Sequence, residues 1–167
     1  MNLYILRHAK AAEPAEYRDD SKRPLTAEGV RRMKAIAQGM LQLEVTLDVI
    51  LTSPAIRALQ TARLVKEAFP NEPLHSIDHL AIGGEPRKLI EEINNQFAGL
   101  ENILLVGHEP YLSELISLLI SGQTDVGLNL KKAGFVKLTV GELRYDKCAE
   151  LDYFLTPKQV AALAPAA

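Results

Sequence analysis

Three short apolar runs carry almost no polar interruption: LYIL at residues 3–6, LDVIL at 47–51 and ILLVG at 103–107. A strand with one wet face alternates between apolar and polar residues, and a strand covered on both faces does not. The three runs therefore call for a mostly parallel sheet between two layers of helices. The intervening segments supply them. After Thr26, a candidate N-cap, Val30, Met33, Ile36, Ala37, Met40 and Leu41 follow a helical period. Ser53-Pro54 opens a second helix with proline at its first position and Ile56, Leu59, Ala62, Val65 and Phe69 facing inward. Pro86 begins a third helix that buries Leu89, Ile90, Ile93 and Phe97. Pro110 begins a fourth, with Leu112, Leu115, Ile116, Leu119 and Ile120 inward and Gly122 as its stop.

The C-terminal part reads differently. Residues 135–140 alternate and 150–155 are apolar enough for a second strand, so this region is expected to form an antiparallel hairpin. A weaker strand is expected near 74–80. Thr156-Pro157 caps a short last helix, and the Ala/Pro tail over 164–167 is expected to fray. The fold class is a three-layer α/β/α sandwich, mostly parallel, with an antiparallel C-terminal edge. At 167 residues it reads as one domain over 1–167.

Charge and cysteine usage narrow the function. A net charge of −2 gives no reason to expect a nucleic-acid or membrane surface, so any bound anion must be held by a local cluster of cations. Cys148 is the single cysteine, which rules out an internal disulfide and reads as structural. Arg7, His8 and Lys10 interrupt the first apolar run far short of a signal peptide, so the protein is expected in the cytoplasm.

Ligands of open α/β sheets sit beyond the carboxyl ends of the strands. Arg7-His8 follows the first run, Thr52-Ser53-Pro54-Ala55-Ile56-Arg57 the second and His108-Glu109-Pro110 the third. Two histidines, a hundred residues apart, and two arginines thus share one sheet edge with two expected helix N-termini. Guanidinium forks and helix N-termini suit a phosphoryl group better than a carboxylate. A metal is the rival reading for the histidines, with His75 and His79 as further ligands, but it would sit beside two arginines. A neutral imidazole held in one tautomer by a backbone carbonyl could attack the phosphoryl group. The second histidine and the arginines would stabilise the transferring charge. The polar loop 9–25 follows His8 directly and is long enough to be functional.

Arg7-His8-Ala9, the run from Ser53 to Ala62 and Val106-Gly107-His108-Glu109-Pro110 resemble the histidine phosphatase, or phosphoglycerate mutase-like, superfamily over residues 3 to about 120. The resemblance implies that His8 is the phosphorylated nucleophile, Arg7 and Arg57 hold the phosphate, His108 is the second pocket histidine, and neither cofactor nor metal is needed. Ala9 replaces the family's usual glycine. The segment Arg18 to Thr26 looks like the D-x-x-R-P-L-T stretch of SixA-type phosphohistidine phosphatases, with Arg23 a possible rim cation; no matched role falls on Lys10.

Mutase-like members carry a glutamate acid after the second motif, where this chain has Leu80-Ala81-Ile82. Glu85 either substitutes for it or is an ordinary first-turn residue. A missing acid suits a substrate whose leaving group is an imidazole. The expected partner is therefore a phosphohistidine protein, the alternatives being a small phosphate ester or a phosphoprotein-binding module without turnover.

Overall fold

The computed structural model describes residues 1–165, so the last two residues of the Ala/Pro tail, 166 and 167, lie outside the described residues. Six strands form one sheet: β1 (Asn2–Arg7), β2 (Val49–Thr52), β3 (Leu74–Ser76), β4 (Asn102–Gly107), β5 (Phe135–Val140) and β6 (Ala149–Leu155). Their order is β3-β2-β4-β1-β5-β6. β1, β2, β3 and β4 pair in parallel, while β5 and β6 join as antiparallel strands at the C-terminal edge.

Five helices cover the sheet: α1 (Ala27–Gln42), α2 (Ile56–Ala68), α3 (Pro86–Gln96), α4 (Tyr111–Ser121) and α5 (Pro157–Ala161). The strand pleat divides the core between them. Leu3, Ile5, Leu51, Ile103 and Leu105 pack with Leu89, Ile90 and Ile93 of α3 and with Leu112, Leu115, Ile116 and Leu119 of α4. Tyr4, Leu6, Ile50, Leu104 and Val106 point the other way, onto Met33, Ile36 and Met40 of α1, Ala58, Ala62 and Val65 of α2 and Val160 of α5. Both faces of the central strands are dry, which is why their sequences do not alternate. Layers and strand directions are those expected.

The expected helix ends hold in part. Thr26 caps α1 by accepting from the Gly29 N–H, and Gly122 ends α4 in the left-handed region at φ 80°. Thr156 and Gln159 form a reciprocal capping box on α5. The second helix is a correction: Ser53 and Pro54 form a turn, and α2 starts at Ile56 with Ala55 as its cap. Its buried face is also rotated. Arg57, Ala58, Thr61, Ala62, Leu64 and Val65 are buried, whereas Ile56 and Leu59 are only partly covered. Leu41, expected inward, is exposed. The strand expected over 74–80 is the three-residue β3 followed by a 3-10 turn, Asp78–Leu80. No helix among the described residues is long and apolar enough to cross a membrane.

Candidate active site

Sheet register brings the three motifs together. Arg7 lies opposite Gly107, and Thr52 opposite Val106. The ladder runs one step further, with the His8 N–H donating to the Gly107 carbonyl (3.0 Å) and the Ser53 N–H to that of Val106 (2.9 Å). His8, Ser53 and His108 therefore leave three adjacent strands at the same level, and α2 brings Arg57 in from its first turn.

His8 is 5% exposed. Its Nδ1–H donates to the carbonyl of Ala9 (2.8 Å), which leaves Nε2 unprotonated, and Nε2 accepts from Arg57 Nε at 3.3 Å. Burial, with the positive charges of Arg57 and Arg7 added, pushes the His8 pKa down to about 3, against the upward pull of the Ala9 bond. This imidazole is neutral at physiological pH, with its lone pair turned into the cluster. The ring of His108 lies 5.1 Å from it, centroid to centroid. His108 Nε2 meets Ser53 Oγ at 2.7 Å, and burial with the Arg57 charge lowers its pKa to about 4. A hydroxyl both donates and accepts, so Ser53 can hold this ring as neutral imidazole or as imidazolium.

Arg7 donates through one terminal nitrogen to the Leu130 carbonyl (2.8 Å). Its Nε and His108 Nδ1 are buried and have no protein partner. Ala9 causes no difficulty in place of glycine: Glu44 and Ala133 are the non-glycine residues with positive φ among the described residues. The Ala9 N–H is held by Thr61 Oγ1 (3.1 Å), and that hydroxyl donates to the Arg57 carbonyl (2.7 Å). The polar stripe of α2 thus secures the loop that follows β1.

Two carboxylates at the site were not anticipated. Asp20, in a 3-10 turn of the loop 9–25, accepts from Arg57 through Oδ2 (2.7 Å) and through its backbone carbonyl (2.6 Å), and from Arg23 Nε through Oδ1 (2.7 Å). Desolvation raises the Asp20 pKa, but the bonds and charges of Arg57 and Arg23 outweigh it and hold the carboxyl below its usual range. Arg23 also donates to the Ala12 carbonyl and so serves the loop as much as the rim. Glu109 accepts from the Ser113 N–H (3.0 Å) and hydroxyl, and the Leu112 N–H returns to the His108 carbonyl (2.9 Å). The start of α4, expected to face an anion, is thereby occupied by its own chain. Burial raises the Glu109 pKa, opposed by the Ser113 bonds and Arg7.

The remaining candidates fall outside the cluster. His75 is exposed and lies against Phe97, and Glu85 is exposed, stands at the N-cap position of α3 without a capping side-chain bond and pairs with Lys88 (2.5 Å). Lys10 pairs with Glu28. Among the described residues no group of three or more His, Cys, Asp or Glu side chains could hold a metal ion.

The family model for the histidine phosphatase superfamily (branch 1) matches residues 3–81. An uncharacterised protein of Picosynechococcus sp. is 37% identical over 93% of this chain and 94% of its own length. The chain belongs to the histidine phosphatase superfamily. Phosphohistidine phosphatase SixA of Escherichia coli is 29% identical to this chain over 74% of the chain and 77% of its own. The solved structure of the protein histidine phosphatase SixA complexed with tungstate superimposes with a TM-score of 0.82 at 23% identity, covering 96% of this chain and 99% of that one. It shares the fold.

Proposed function

We propose that the protein is a metal-independent phosphatase that forms a covalent phosphohistidine on His8 and acts on phosphohistidine in proteins. The observation that carries this is the state of His8: a neutral imidazole fixed by Ala9, with an unprotonated Nε2 facing Arg57. Arg57 and Arg7, with Arg7 Nε and His108 Nδ1 still unbonded, supply donors for the phosphoryl oxygens. Nε2 attacks phosphorus, a P–N bond to His8 forms, and the substrate's own P–N bond breaks. When the other nitrogen of the substrate ring carries a proton, the departing imidazole is neutral and needs no acid. Water then attacks the phosphoryl group, the bond to His8 breaks, and inorganic phosphate leaves. As the dianion arrives, His108 can take up a proton while Ser53 reverses its role.

The choice of leaving group rests on the neighbouring cleft. A cavity of about 260 Å³ is lined by Ser21, Ser53, Pro54, Ala55, Ala81 and Ile82. None is charged, so an alkoxide leaving group would find no acid among them, whereas an imidazole requires none. Glu85, the candidate acid, is engaged with Lys88. The SixA relative of Escherichia coli, named a phosphohistidine phosphatase, adds support. A substrate of this kind would place the protein in the cytoplasm, and we read 1–167 as a single catalytic domain.

A turnover panel of phosphohistidine peptides, sugar phosphates and nucleotides, run beside His8→Ala, tests the reading. Phosphohistidine should be preferred, chelators should have no effect, and His8→Ala should fall to background. Acid-labile phosphate should be trapped on His8 after a quench. Turnover that survives His8→Ala, or sugar-phosphate hydrolysis that depends on Glu85, would overturn it. Stoichiometric phosphopeptide binding without release would instead mark a binding module.

A further inference from the structure

A second cleft, of about 560 Å³, lies between the start of α1, Pro157 of α5 and the turn at 129–133. Its size is that of a ligand site rather than a surface dimple. Arg7, Lys10, Arg32, Lys131 and Lys132 line it, with no carboxylate among the lining residues. Lys10 is neutralised by Glu28, but no ion pair among the described residues reaches Arg32, Lys131 or Lys132. In a chain of net charge −2 this is a pronounced local excess of positive charge.

The cleft is joined to the site at both ends of its floor. Ala9 lines it directly after His8. Leu130, beside Lys131, holds the Arg7 side chain through its carbonyl, and the Ala133 N–H donates to the carbonyls of Arg7 (3.0 Å) and His8 (3.1 Å). A chain lying here would run past the nucleophile. Ala9, Gly29 and Ala133 are the small residues of its lining, so the charged side chains supply its exposed surface.

We propose that this cleft docks a carboxylate-rich segment flanking the phosphohistidine of a protein substrate. Resting on the phosphatase reading above, it names the recognition element that would separate a protein substrate from a small one. Among the described residues no aromatic side chain lines the cleft, so single-stranded nucleic acid would find no stacking platform there. A concave arrangement also suits an extended acidic chain better than a flat anionic membrane. Complementary charge of this kind raises the rate of encounter and fixes register.

The test compares peptides carrying one phosphohistidine flanked by glutamates or by glutamines with free phosphohistidine. Wild-type protein should favour the glutamate peptide by about tenfold in kcat/KM at low ionic strength, and salt should erase the preference. Arg32→Glu, and separately Lys131→Glu with Lys132→Glu, should abolish the preference and leave free phosphohistidine turnover unchanged. Arg32 lies on α1 rather than on the turn that holds Arg7, and unchanged turnover of free phosphohistidine by Arg32→Glu is the control for any effect on that arginine. Equal wild-type rates on the two peptides would overturn the proposal, as would losses shared by free phosphohistidine in every variant. If wild type turns over no phosphohistidine, the phosphatase reading fails. Docking is then decided by fluorescence anisotropy of the labelled, unphosphorylated glutamate peptide: binding that Arg32→Glu removes supports it, and no binding overturns it. Tighter binding to phosphatidylserine vesicles than to that peptide would also overturn it.

Discussion

Arg57 is bound on two sides before any substrate arrives. Its Nε faces His8 and its terminal nitrogens are taken by Asp20, a residue whose side chain is 48% exposed. A phosphoryl group must compete with that carboxylate. Asp20→Asn keeps the shape and removes the charge, so the Ki of inorganic phosphate should fall about two- to fivefold, in keeping with a solvent-screened ion pair. An unchanged or higher Ki in inhibition assays would mean that Asp20 only orients the guanidinium. The two imidazoles make a separate prediction about stability. Both have folded pKa values below the ~6.5 of an unfolded histidine. The unfolded chain therefore takes up protons first as the pH falls. Stability should be full above about pH 7 and should drain away as the pH falls toward 4 and on toward 3. Melting temperatures across that range should drop in wild type and drop less in His8→Gln. That His8, Arg7 and His108 would meet was legible in the sequence because each lies at a strand end, and that Arg57 would join them because it falls in the first turn of the helix after β2. Asp20 was not, since a bond to a residue 37 positions away leaves no local periodicity.

At the scale of elements, α2 shows how a functional face misleads a pattern. Helical period predicted that its apolar residues would turn inward, yet Arg57 (2% exposed) and Thr61 occupy the buried stripe because the site lies beneath it. Polar side chains at core positions read as a wet face until the ligand-binding edge is known. Proline was equally ambiguous: it begins α3 at the first turn, but at Pro54 it belongs to the turn that presents Ser53. Helix contacts are more literal. Gly39 of α1 lies so close to Val160 of α5 that an added Cβ would collide with the Val160 carbonyl. Gly39→Ala should push α5 outward and cost about 1–3 kcal/mol in urea unfolding, the usual cost of overpacking. A neutral effect would show that α5 yields freely.

Across the whole molecule, the parallel part of the sheet was readable because its central strands are dry on both faces, whereas strand order was not. Nothing in LYIL says which runs it pairs with. Hydrogen exchange should follow that order, with β1 and β4 amides slowest and the edge strands β3 and β6 opening first. Faster exchange in β4 than in β6 would contradict it. The central place of β1 also sets a timetable for biosynthesis. Asn2 pairs with Asn102 on one side and Thr139 on the other, so β1 waits during synthesis for two strands made much later. Arg7 and His8 are made long before Leu130, whose carbonyl holds Arg7. A nascent chain halted before that turn would expose both residues without the geometry that gives them their chemistry. The site can become competent only once the turn that carries Leu130 has been made.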